Sequence, residues 1–198
     1  MIESPSWLPR LETDAPDVVA CWRVMDWSLS GLRLLRRELR HRVHEGDATR
    51  LLVQQEAIGV ALAATLAALP EAALREPGGE GDWNVAQTFA HTTAARRFLA
   101  AWAAQDAGIE APGGEPPRAT PSIPGRPDAT VADLLVLLDK SRHKLERAAA
   151  QIEGHELQRC RMEHPLIGHL RCGEWLCFVG VHDLMHLEQL HAIAARHA

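Results

Sequence analysis

Two histidines one helical turn apart, in the run His182-Asp183-Leu184-Met185-His186, are the residues of this 198-residue chain best placed to do chemistry. Residues i and i+4 lie on one face of an α-helix. At about 100° per residue, His182, His186 and the following Gln189 fall within roughly 60° of one another. The same stripe carries Trp175, Phe178, Val179 and Ile193, so the imidazoles project toward a core. A buried imidazole needs a partner for each ring nitrogen, and two together rarely find them in an apolar interior. A divalent metal resolves the conflict, because imidazole is its commonest protein ligand. Core histidines bonded to backbone or water are the plainer alternative.

A third histidine, His91, lies far upstream in an independent helical pattern. Ala94, Ala95, Phe98 and Trp102 fall within roughly 60° of it, so His91 also faces the core. Metal sites in helix bundles are built from inward side chains on facing helices. Gln189 and Trp175, one turn or so to either side on the ligand face, are expected to line or support the site without being primary ligands. No Gly-rich phosphate loop or Ser-His-Asp order is present, and no single side chain stands out as a catalytic acid or base. The His182-Asp183-x-x-His186 pattern resembles the zincin HExxH, but Asp183 lies about 100° around the helix from His182, which argues against protease chemistry. His164 and His169 lie in a connector from which they can approach the site.

The elements that must position these residues are helical. Asp17 to His44 carries an apolar stripe of Val18, Trp22, Met25, Leu29, Leu32, Leu35 and Leu39, and reads as one helix. Asp47 can cap the next, which stops at Pro70. A turn-rich stretch, Glu76 to Asp82, leads into a helix from about Asn84 to Ala104. Gln105 to Asp128 is a long Pro- and Gly-containing loop. Thr130 and Asp133 open a further helix with a near capping box, and the last helix runs from about Gly173 to Arg196. No convincing period-2 run appears. The order is that of a four-helix bundle with one long crossover, preceded by an extra N-terminal helix. Residues 1–46 read as a helical extension packed on the bundle and 47–198 as the bundle itself. The final helix is apolar nearly all round, with Leu176, Leu184 and Leu187 off the ligand face, so the extension or a second subunit must cover it.

A net charge of −5 gives no global electrostatic case for nucleic acid or an anionic membrane surface. The longest apolar run, Ala57 to Leu69, is too short to span a bilayer. The N-terminal residues have neither the positive nor the long apolar region of a signal peptide. The four cysteines form no CxxC and read as reduced core thiols. The expectation is a cytoplasmic protein.

The segment Gly81-Asp82-Trp83-Asn84-Val85-Ala86-Gln87-Thr88-Phe89-Ala90-His91 resembles the entry to the second helix of DinB-like proteins, the DinB/YfiT superfamily. There a tryptophan and a polar residue are followed by a histidine eight positions after the tryptophan. His164-Pro165-Leu166-Ile167-Gly168-His169-Leu170, then Glu174-Trp175, then His182 to Leu190, resembles that family's final helix and its approach. The resemblance runs from about Asp47 onward. It implies an all-α, up-down-down-up four-helix bundle that binds a divalent metal through three histidines, here His91, His182 and His186. Zinc and nickel suit such a site foremost, with iron, manganese and cobalt also accommodated. By resemblance the activity is that of a metal-dependent transferase that activates a low-molecular-weight thiol toward an electrophilic small molecule, as in mycothiol-dependent maleylpyruvate isomerase and bacillithiol S-transferase. A metal-dependent hydrolase and a non-catalytic metal-binding bundle are the alternatives. The family also implies a homodimer.

Overall fold

The computed structural model describes residues 5–110, 113–115 and 122–197. Four long helices form the bundle. They are preceded by three shorter ones: α1 (Leu8–Asp14), α2 (Pro16–Val24) and α3 (Leu29–Arg42). The bundle helices are α4 (Ala48–Ala67), α5 (Val85–Asp106), α6 (Val131–Ile152) and α7 (Cys172–Ala194). A 3-10 helix (Glu71–Arg75) follows α4, and a two-stranded antiparallel hairpin, β1 (Arg159–His164) and β2 (Gly168–Arg171), precedes α7.

Around the bundle, α4 and α5 each pack on both α6 and α7, so α4 and α5 sit diagonally. The contacts fix the directions. His91 and Arg96 of α5 meet His186 and Asp183 of α7 in reverse order, so these helices are antiparallel. Gln55 bonds the Leu176 carbonyl, and the next turn of α4, at Gly59, lies against Arg96, which places α4 parallel to α7. Arg96 also bonds Ser141, midway along α6, while Asn84 before α5 bonds Pro127 before α6. Helices α5 and α6 are therefore parallel. The result is up-down-down-up. A parallel pair needs a return the length of a helix, about 33 Å for 22 residues, which is why the one long connection falls between α5 and α6.

Helix starts follow their local chemistry. Asn84 and Gln87 form a complete capping box at α5, as do Thr130 and Asp133 at α6. Asp47 departs from expectation. Its side chain accepts from the His44 amide and pairs with Arg50 rather than capping α4. The free amides there, Gly46 and Ala48, are taken instead by the buried Glu156 carboxylate, and Thr49 by Glu153.

The stretch from Asp17 to His44 is two helices, not one. The chain is extended at Met25 and restarts at Ser28, whose hydroxyl accepts from the Gly31 amide at 3.1 Å. Leu29 is consequently 75% exposed, whereas Leu32, Leu35 and Leu39 are buried. Helix α2 packs on α7, with Val18 against Gly180, where a Cβ would lie 2.7 Å from the Val18 side chain. Leu176, Leu184 and Leu187 are fully buried within the single chain, so α2 and the neighbouring helices cover the final helix without a second subunit. The hairpin replaces the expected irregular connector. Cys160 and Met162 point inward while Arg159 and Glu163 point out. Arg161 fastens the hairpin to the C-terminal end of α5 by donating to the buried Asp106 carboxylate at 2.8 Å. Among the described residues no helix is long and apolar enough to cross a membrane.

Candidate metal centre

Antiparallel packing of α5 against α7 brings His91 beside His182 and His186. The ring centroids lie 5.3 Å and 5.6 Å from that of His91, and 4.5 Å apart from each other. One nitrogen from each ring lies within 4.8 Å of the other two. His182 Nε2 and His186 Nε2 face each other at 3.3 Å. Two nitrogens bound at about 2.0–2.1 Å to one tetrahedral ion stand about 3.3 Å apart, so this separation fits the donor set.

The surroundings set the protonation of the rings. His186 is 2% exposed, and burial pushes its pKa down to about 4. Its Nδ1 donates to Gln189 Oε1 at 2.8 Å, leaving the lone pair on Nε2, the nitrogen turned toward His182. His182 is also lowered well below the ordinary histidine value, by desolvation first and then by its histidine neighbours. Its Nδ1 is buried with no hydrogen-bond partner among the described residues. His91 is lowered by burial, partly offset by the charge of Glu80 and by a hydrogen bond to the Ile123 backbone. Three neutral imidazoles converge, each with a lone pair. That is the state in which histidine binds metal, and the cluster could hold a divalent ion.

Gln189 lies beside His186, and Trp175 stands farther along the same helix. Trp175 is fully buried and lines the cavity leading to the histidines. His164 stands over it, 5.2 Å from the Phe178 ring and 6.0 Å from Trp175, and burial lowers it to about 4. His169 instead lies near Glu163. The helical projection placed Phe98 in the core; it is 47% exposed at the cavity wall, stacked on Trp102.

Several residues at the site escaped the sequence reading. Glu80, from the Gly-rich turn, brings a carboxylate oxygen to 3.8 Å from His186 Nε2. Trp83, already named as the tryptophan of the motif that ends at His91, packs 5.4 Å from the His91 ring. Gly79, at φ +90°, lies against Gln189, which keeps this turn close over the site. One residue past His182, the fully buried Asp183 pairs with Arg96 of α5, and Arg96 donates also to Ser141 at 3.1 Å. Burial pushes the Asp183 carboxyl upward while the guanidinium pulls it back. Arg96 was detectable: it stands seven residues after the buried Phe89, on the same stripe. The four cysteines are buried and free, Cys160 beside Cys172 at 3.0 Å and Cys21 beside Cys177.

The cavity holds about 670 Å³ and reaches the surface between α5, α7 and residues 122–125. The protein is an up-down-down-up bundle whose second helix carries one, and whose fourth helix carries two, of the three histidines that could hold a metal ion. Residues 55–190 match the DinB superfamily, and the chain belongs to it. No curated protein and no solved structure matches the chain.

Proposed function

We propose that His91, His182 and His186 bind one divalent metal ion and that the protein is a metal-dependent transferase acting on a low-molecular-weight thiol. The observation that carries this reading is the convergence of three neutral imidazole nitrogens within 4.8 Å at the end of an open cavity. Structural zinc sites are usually closed by four protein ligands, whereas three with an accessible position is the catalytic pattern. A divalent ion held there supplies Lewis acidity that lowers the pKa of a thiol or water near neutral pH. Zinc and nickel suit the all-imidazole donor set best. Gln189 holds the His186 tautomer, and the aromatic walls exclude bulk water. Glu80 is the anionic group on hand to take a proton from the nucleophile.

That position of Glu80 also favours a second reading, a hydrolase in which the same carboxylate deprotonates water. A cytoplasmic setting would keep both a thiol co-substrate and the four free cysteines reduced. The reading includes a homodimer whose interface lies away from α7, because Leu176, Leu184 and Leu187 are already covered within the chain.

The test is conjugation of a chromogenic aryl halide by mycothiol, bacillithiol or glutathione, using untagged protein. Turnover with one of the thiols, lost in His182→Ala, supports the transferase. Metal-loaded protein that conjugates none of them but cleaves ester or amide substrates transfers the case to the hydrolase. Metal-loaded protein that does neither is a binding bundle.

A further inference from the structure

The cavity lining carries a second polar group, six residues along α5 from His91. Its walls are mostly apolar and aromatic, with Phe98, Trp102, Trp175 and Phe178 among them. The histidines and Glu80 stand at one end, and a single arginine, Arg97, also lines it. Arg97 and Arg96 are consecutive on α5 but differ completely. Arg96 is 1% exposed and paired with Asp183. Arg97 enters no ion pair among the described residues, and its buried Nε has no hydrogen-bond partner among them. Its guanidinium carbon lies 5.2 Å from the Phe98 ring centroid, a cation–π contact that holds the group against the cavity wall. A planar cation flanked by aromatic surface, with its donors unspent, is suited to an oxyanion carried on an apolar body.

We propose that the cavity binds a ligand with an apolar body and a terminal carboxylate, the carboxylate on Arg97 and the other end against the histidines. This names the electrophile class for the transferase and rests on that reading for the reactive end. His91 and Arg97 are six residues apart on one helix, about 9 Å along its axis, which matches roughly a six- to eight-carbon chain or a phenylalkyl group. The volume of about 670 Å³ accommodates such a molecule together with a small co-substrate. A phosphate dianion fits less well, because a single cation, Arg97, faces it.

Octanoate and its neutral isostere octanamide are the probes, titrated against tryptophan fluorescence, since Trp27, Trp102 and Trp175 line the cavity. Both are measured on wild type and on Arg97→Gln, with and without a chelator. Wild type is expected to bind octanoate roughly 10–100-fold more tightly than octanamide, the range of a charge-assisted hydrogen bond. Arg97→Gln should abolish that preference and leave octanamide binding unchanged. Equal binding of the two probes by wild type, or no binding of either, overturns the proposal. So does an equal loss of both in Arg97→Gln. A preference that survives Arg97→Gln but disappears on chelation overturns it too, because the carboxylate then sits on the metal. If His182→Ala lacks metal and conjugates nothing but keeps the Arg97-dependent preference, the anion subsite stands. If wild type itself holds no metal, the transferase reading falls alone.

Discussion

His182 and Asp183 are consecutive residues of α7 and belong to two different kinds of polar site. Asp183 turns into the sealed interior, where Arg96, Ser141 and Gln55 from the three other bundle helices form a network with it. His182 turns toward the cavity, with one nitrogen facing His186 and the other unpartnered among the described residues. The first site is enclosed by protein on all sides and is structural, although Asp183 Oδ1 has no hydrogen-bond partner among the described residues. The second keeps lone pairs directed at a space a ligand can enter. Polarity in a core therefore distinguishes little by itself; what separates the two is where the unspent capacity points.

The largest expected effect breaks the structural side of this comparison. Asp183→Ala or Arg96→Ala leaves one uncompensated charge in the core and should cost about 3–5 kcal/mol, read by urea unfolding. Replacing both with apolar residues of similar volume should recover most of that loss. A single variant as stable as wild type would show that the pair does not hold the core. Metal content in the double variant should stay near wild type, and a loss there with the fold intact would merge the two sites.

A smaller effect sharpens the other side. Gln189→Ala frees the His186 ring to choose its tautomer and should weaken metal affinity by roughly 10–100-fold with the helical content unchanged. Gln189→Glu, which can still accept from Nδ1, should retain more affinity than the alanine variant. Equal losses in both would argue against tautomer control.

The smallest effect is a pH dependence of metal-free stability. Burial holds His164 and His186 at about 4, below the ordinary histidine value of 6.5. The unfolded chain therefore binds protons that the folded chain excludes, and stability falls as pH drops from about 6.5 to about 4. Asp183, pushed upward, acts with the opposite sign. The histidine contribution is thus read as the difference between wild type and His164→Gln. That variant should show the shallower fall, and parallel melting curves would refute the assignment of His164 as buried and neutral.

Much of the histidine cluster was legible because its three residues share stripes with large apolar residues, which forces them inward on any helix that packs. Trp175 and Gln189 followed from the same angular reading. Glu80 did not, because the turn carrying it has no periodicity to project. Arg96 was hidden by the ordinary assumption that arginines face water, although its spacing from Phe89 placed it inside. The break between α2 and α3 was invisible to periodicity, since Met25, Leu29 and Leu32 continue the stripe across it; the cue was Ser28, a capping residue in mid-run. The β1 strand does alternate, from Arg159 to Glu163, but over too few residues to stand out against helical patterns. At α4 the cap comes from Glu156, more than a hundred residues away, which no local rule anticipates.

The central claim is that His91, His182 and His186 form one metal site, and metal analysis of protein purified without a histidine tag or added metal tests it most directly. The account predicts about one divalent ion per chain in wild type. Each of His91→Ala, His182→Ala and His186→Ala should remain helical and lose it. A wild-type protein devoid of metal that also takes none up on titration, or undiminished metal in His182→Ala, would contradict it.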